Sequence, residues 1–140
     1  MRISLFSWLF MFLLATIFFG INVVLVSSQC QSDQRELLLQ LKKSLNFNSS
    51  LSVKLVNWSQ STDCCMWEGV RCDASGHVTD LDLSNESIYS AVDNSSSLFN
   101  LQYLQSLNLA YNRLHSTFPS VFDKLAQLSN LNLSNAGFTG

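Results

Sequence analysis

The chain has 140 residues, 47% of them apolar and only 13% charged, with a formal net charge of −2. Much of the apolar content sits in residues 3–26; beyond residue 28 there are seven basic and ten acidic side chains, a net charge of −3. Mild acidity without a basic patch argues against nucleic-acid binding, and the length beyond residue 28 suits one domain.

The N-terminal stretch MRISLFSWLFMFLLATIFFGINVVLVSSQC places Arg2 before an apolar run to Val26, with Val26 and Ser28 at the −3 and −1 positions of a cut before Gln29. This is the layout of a secretory signal peptide over residues 1–28. A retained signal anchor is the competing reading, because the run is long enough to approach a membrane span. Secretion gives meaning to five Asn-x-Ser/Thr triplets, at Asn48, Asn57, Asn85, Asn94 and Asn132, which become candidate glycan acceptors. Asn57 is the least suited, since Trp58 beside it reads as buried.

Residues 33–45, DQRELLLQLKKSL, predict a helix. Asp33 is placed to cap it, with Glu36 as the reciprocal partner of a capping box. Leu37, Leu38, Leu41 and Leu45 recur at helical spacing, and Lys42 and Lys43 lie near the negative end of the dipole. A polar Ser/Asn-rich stretch follows, with an apolar knot at Leu55, Val56 and Trp58. Trp58 and Trp67 are expected to pack under the cysteines.

Those cysteines are Cys30, Cys64, Cys65 and Cys72. Neighbouring Cα atoms lie about 3.8 Å apart, too close for an unstrained disulfide, so Cys64 and Cys65 must each bond elsewhere. Two pairings remain open: Cys30–Cys64 with Cys65–Cys72, or Cys30–Cys65 with Cys64–Cys72. The spacing, ending at His77, matches no usual zinc-ligand pattern.

From His77 the chain repeats itself. Leu101, Leu104, Leu107, Leu109 and Leu114 recur 24 residues later as Leu125, Leu128, Leu131, Leu133 and Phe138. A looser copy precedes them at Val78, Leu81, Leu83 and Ile88, offset by 26. This is the L-x-x-L-x-L-x-x-N pattern of a leucine-rich repeat. Leu107 and Leu109, two apart on a short strand, point to one face, and Asn108 points the other way. Asn112 falls at the bend, where its amide can satisfy unpaired main-chain groups. Leu114 and Phe118 are expected to return to the core on the far side of the coil. One coil cannot bury its own edge, so coils stack, and their strands form a parallel sheet along one side.

The predicted architecture is an α/β solenoid, a right-handed leucine-rich-repeat coil with short parallel strands on its concave side and an N-terminal helical disulfide cap. Residues 1–28 make the signal peptide, 29–76 the cap, and 77–140 about two and a half repeats. The outward strand positions, Asp80, Asp82, Ser106, Asn108, Asn130 and Asn132, are the candidate binding face. They are small and polar, with no aromatic anchor of the kind that dominates hot spots, so a solvated surface is the alternative reading. His77 and His115 are isolated, and no nucleophile–base set, phosphate loop or metal spacing is present. A recognition module is expected rather than an enzyme, with no cofactor.

The tracts CQSDQRELLLQLK, WSQSTDCCMWEGVRCD and GHVTDLDLS, followed by 24-residue repeats, resemble the plant leucine-rich-repeat receptor-like proteins of the Verticillium wilt resistance type. The resemblance implies the sequential pairing Cys30–Cys64 and Cys65–Cys72. It also implies a ligand-recognition segment of a cell-surface receptor in defence signalling, on the extracellular side of the plasma membrane. Its partners would be a protein, peptide or glycan ligand and a co-receptor. A secreted chain similar to the polygalacturonase inhibitors, or a fragment without activity of its own, is the alternative. The fit is imperfect. Ser116 and Phe118 replace the glycine and isoleucine of L-x-G-x-I-P, and Glu86 and Ala136 stand where asparagine belongs. The pattern stops mid-repeat at Gly140, so a truncated product or partial gene model is expected.

Overall fold

The computed structural model describes residues 29–139; the candidate signal segment lies outside them. Helix α1 spans Ser32–Ser44 and buries Leu38 and Leu41, with Leu45 buried just beyond its end. Leu37 is only half-buried. The expected capping box does not form. Gln31 is the N-cap residue, no side chain caps the helix, and Asp33 lies inside the first turn. The start is fixed by tertiary contacts instead. The Gln31 amide donates to the Gly76 carbonyl at 3.1 Å and its side chain to the Ser75 carbonyl at 2.9 Å. Asp33 still lies where the helix dipole favours an acid, and Lys42 and Lys43 occupy the last turn.

The cap continues through single 3₁₀ turns at Leu55–Asn57 and Cys64–Met66. Disulfides join Cys30 to Cys64 and Cys65 to Cys72, both with Cα atoms 5.5 Å apart. Trp58 and Trp67 are buried and stacked at 5.2 Å. The Trp58 indole donates to the Glu68 carbonyl and the Trp67 indole to the Thr62 hydroxyl, so neither polar edge is orphaned. Lys42 reaches across from α1 to the Trp58 carbonyl at 2.7 Å. Val56, expected in the apolar knot, is instead 41% exposed: in the short turn it points away while Leu55 and Trp58 take the inward positions.

Four strands form one sheet in sequence order: β1 (Val70–Cys72), β2 (Val78–Asp82), β3 (Ser106–Asn108) and β4 (Asn130–Asn132). β2, β3 and β4 run parallel, with Leu81, Leu107 and Leu131 in register. β1 runs antiparallel to β2 and so covers the sheet edge at the cap end. This strand was not expected from the sequence. Gly69, at φ 87°, allows it: the Asp82 amide donates to the Gly69 carbonyl at 2.7 Å, and any Cβ at Gly69 would collide with the Asp82 carbonyl. The chain returns on the far side through 3₁₀ turns at Ser97–Asn100 and Ser120–Lys124. The first of these is tied to α1 by the Ser97 hydroxyl, which donates to the Leu37 carbonyl at 2.9 Å.

Burial falls along the solenoid. Leu81 and Leu107 are each 1% exposed, whereas Leu131, at the same repeat position, is 39% exposed. Phe118, expected in the core, is 47% exposed; it stacks on Phe122 at 4.5 Å and meets Phe138 edge-on. Among the described residues, nothing covers its outer face. Among the described residues no helix is long and apolar enough to cross a membrane.

Candidate functional site: the concave face

Strand alternation sends Leu81, Leu107 and Leu131 inward and their neighbours outward. Register then aligns the outward residues into two files: Asp80, Ser106 and Asn130 in one, Asp82, Asn108 and Asn132 in the other. All six sequence candidates therefore lie on one surface, but the two files differ in chemistry.

The second file is spent on the turns. Oδ1 of Asp82, Asn108 and Asn132 accepts the amide of Ser84 at 2.9 Å, Ala110 at 3.0 Å and Ser134 at 3.0 Å respectively. Each side chain bonds the main chain two residues on, holding the strand-to-loop bend. Asp82 also accepts the Ser84 hydroxyl at 2.6 Å and pairs with Lys54 at 3.2 Å. Partial burial pushes its carboxyl up, but the Ser84 hydroxyl and amide, with the Lys54 ammonium, outweigh this and hold it below its ordinary value.

The first file has no such duty. Among the described residues, no hydrogen bond or ion pair engages the side chains of Asp80, Ser106 or Asn130. Where β1 meets β2, Lys54, Glu68, Arg71, Asp80 and Asp82 line a cavity of about 410 Å³ that opens at the head of both files. Lys54, Glu68 and Arg71 come from the cap, and sequence reading did not single them out. The signal that places them, Arg71 opposite Asp80 in the antiparallel pair, needs β1 to be known.

The bend behind the strands carries the main-chain chemistry. Asn112 is buried; its amide donates to the carbonyls of Leu83, Leu109 and Ala110, and its Oδ1 accepts the amides of Glu86 and Ile88. Glu86 occupies the matching place one coil earlier, and it is fully buried rather than a loosening of the pattern. Its carboxylate turns into the cap and accepts the amides of Val53 at 2.9 Å, Lys54 at 2.7 Å and Leu55 at 2.7 Å, plus the Ser52 hydroxyl at 3.2 Å. Two further anchors were also missed. Buried Gln34 accepts the Val78 amide at 3.1 Å, and Asp63 accepts the amides of Cys30 and Cys65 beside the disulfides.

All five candidate glycan acceptors are exposed, Asn57 included. The Asn57 amide donates to the Val53 carbonyl at 3.1 Å and that of Asn94 to the Ser120 hydroxyl at 3.2 Å.

Residues 31–73 match the leucine-rich-repeat N-terminal domain family. Receptor-like protein 6 of Arabidopsis thaliana is 39% identical over 132 residues, spanning 83% of this chain and 13% of its own length. Receptor-like protein 7 of the same plant is 42% identical over 113 residues, spanning 79% of this chain and 11% of its own. The chain belongs to the plant leucine-rich-repeat receptor-like proteins. It spans only about an eighth of the length of these relatives.

Solved plant ectodomains share the fold. The ectodomain of the Arabidopsis receptor kinase HAESA, in complex with the peptide hormone IDA, superposes with a TM-score of 0.61 at 28% identity, over 74% of this chain and 16% of that one. The Arabidopsis thaliana BIR2 ectodomain gives 0.63 at 26% identity, over 79% of this chain and 56% of that one. These neighbours place the receptor-like chain among extracellular repeat solenoids, with the cap at one end and the parallel strands lining one face.

Proposed function

We propose that residues 29–139 form the amino-terminal end of the recognition surface of a plant cell-surface receptor that acts in defence. Its outward file, Asp80–Ser106–Asn130, faces a protein or peptide ligand. The observation that carries this reading is the division of labour on the concave sheet. One file is consumed by turns, and the other is presented without a partner inside the chain. The first file therefore has its full hydrogen-bonding capacity available to a ligand, and the charged cavity at the cap gives that surface a defined end. HAESA, a solenoid of the same fold, has been solved in complex with a peptide hormone and a co-receptor, and a co-receptor would complete signalling here as well. Secretion places the surface outside the plasma membrane.

The test uses full-length receptor in leaves where the wild-type chain confers an oxidative burst on exposure to fungal culture filtrate. The triple variant Asp80→Ala, Ser106→Ala, Asn130→Ala should accumulate normally and lose much of the burst. A normal burst from that variant removes the first file from the recognition surface.

A further inference from the structure

A second surface lies away from the concave sheet. Asn48, Leu51, Ile88, Tyr89, Tyr111 and Arg113 line a groove of about 560 Å³ on the loop side of the coils. Three of its apolar side chains are notably open: Leu51 is 62% exposed, Tyr89 54% and Tyr111 60%. Tyr111 is also backbone-strained, at φ 58°. The matching positions of the neighbouring coils, at φ 55° and 51°, are Asn85 and Asn135. Asparagine adopts this left-handed conformation with little penalty, whereas a bulky aromatic residue there is unusual. Core packing does not explain the exchange, because the ring points out of the core.

The groove carries its own point of attachment. Asn48 begins the triplet Asn48-Ser49-Ser50 and forms part of the wall. Its amide N–H is held by the Ser87 carbonyl at 3.3 Å, and its Oδ1 accepts the Ser50 amide at 3.0 Å. Among the described residues, nothing accepts from its Nδ2. The side chain is therefore oriented, with the nitrogen to which a sugar attaches left free.

We infer that the groove is the seat of an N-linked glycan on Asn48, whose first N-acetylglucosamine rings lie against Tyr89 and Tyr111. The apolar C–H face of such a sugar suits the electron-rich face of a tyrosine ring. Its acetamido methyl suits Leu51 and Ile88, and Arg113 offers donors to its hydroxyls. The glycan covers an apolar strip that would otherwise meet water and fastens the 48–51 turn to two successive coils. The inference needs secretion, as the proposed function does, but not the concave ligand surface.

The test compares the secreted full-length chain with its Ser50→Ala variant, which abolishes the triplet and keeps both Asn48 and the Ser50 amide. Site occupancy and tyrosine nitration by tetranitromethane are read by peptide mass spectrometry. Tyr103, which stacks on His77 at 3.8 Å, serves as the internal reference. With Asn48 glycosylated, Tyr89 and Tyr111 should be nitrated about two- to tenfold more slowly than in Ser50→Ala, the ratio expected of an aromatic stacking contact. Equal nitration rates in the two proteins, or an unoccupied Asn48 beside other occupied triplets, overturn the inference. A chain with no triplet occupied overturns it and the secretory reading together.

Discussion

Restoring the repeat pattern at position 86 should damage the protein. An alignment of coils reads Glu86→Asn as a return to consensus, neutral or stabilising. In the structure the carboxylate reaches past the ladder position into the cap, where three consecutive amides and one hydroxyl converge on it at 2.7–3.2 Å. None of those three amides has another acceptor among the described residues. Asparagine is one methylene shorter, about 1.5 Å, which pulls its oxygen out of hydrogen-bonding range of all four donors unless the main chain moves. Each buried donor left unmade costs about 1–3 kcal/mol. Leu55 is fully buried, while water can recover part of the loss at exposed Val53. The expected net cost is about 3–5 kcal/mol, three amide donors each near the lower end of that range. For a domain of this size that lowers Tm by more than about 10 °C. Glu86→Gln, which keeps one oxygen and turns an amide N–H₂ toward a donor, should fall between, at about 1.5–3 kcal/mol. Thermal unfolding with disulfides intact gives the ranking, and hydrogen exchange of residues 48–58 shows whether the loss is in the cap. A Glu86→Asn protein as stable as wild type would refute the anchoring role.

Leu107→Ala, at 1% exposure on the middle of the parallel strands, should cost about 2–5 kcal/mol, read by denaturant titration. Replacing Cys30 and Cys64 by serine should cost about 4 kcal/mol and replacing Cys65 and Cys72 about 2 on the loop-entropy argument, since the first pair closes 34 residues and the second 7; the reverse order in denaturant titrations would contradict it. Acid should weaken the fold. The His77 amide holds Asp73, the Ser84 hydroxyl and amide, against burial, hold Asp82, and the Ser95 hydroxyl and amide hold Asp93, all below the ordinary carboxyl value of 3.8. A depressed folded-state pKa contributes stability that is present above 3.8 and lost as pH falls through the lowered value. Tm should therefore stay level down to about pH 5 and then drop, and Asp82→Asn should flatten that drop.

The solenoid was legible because its signal is periodic. Leucines at fixed spacing have one arrangement that buries them, and the register of Leu81, Leu107 and Leu131 follows the offsets of 26 and 24 in the chain. Asn112 was legible for a similar reason, since an amide both donates and accepts and a bend offers both needs. The cap was less so. Gln34, Asp63 and Glu86 act on main-chain groups 31–44 residues away, and no local spacing announces such contacts. The capping box failed for the same reason: Gly76 and Ser75 fixed the start of α1 at Gln31, and local propensity lost to tertiary hydrogen bonds. Phe118 shows a different limit. Its apolar character signals burial, but burial needs a neighbouring coil, and the pattern within one repeat carries no information about what stacks upon it.

The cap and the first coil share more than a boundary. β1 lends the sheet its edge, Lys54 pairs with Asp82 on the concave face, and Glu86 sends the turn machinery of the first coil back into the 52–55 loop. Charge explains the exchange. The start of the Leu55–Asn57 turn presents three successive amides, a local concentration of positive dipole that a neutral asparagine serves poorly and a carboxylate serves well. Among the described residues, Glu86 faces the cap where Asn112, its counterpart in the next coil, faces another coil, and the departure from asparagine follows from that neighbour. The same logic separates the two concave files: where a side chain has main chain to satisfy, as at Asp82, Asn108 and Asn132, the identity is set from within. Among the described residues of the two files, Asp80, Ser106 and Asn130 carry no such duty, and the proposed recognition surface rests on them for that reason.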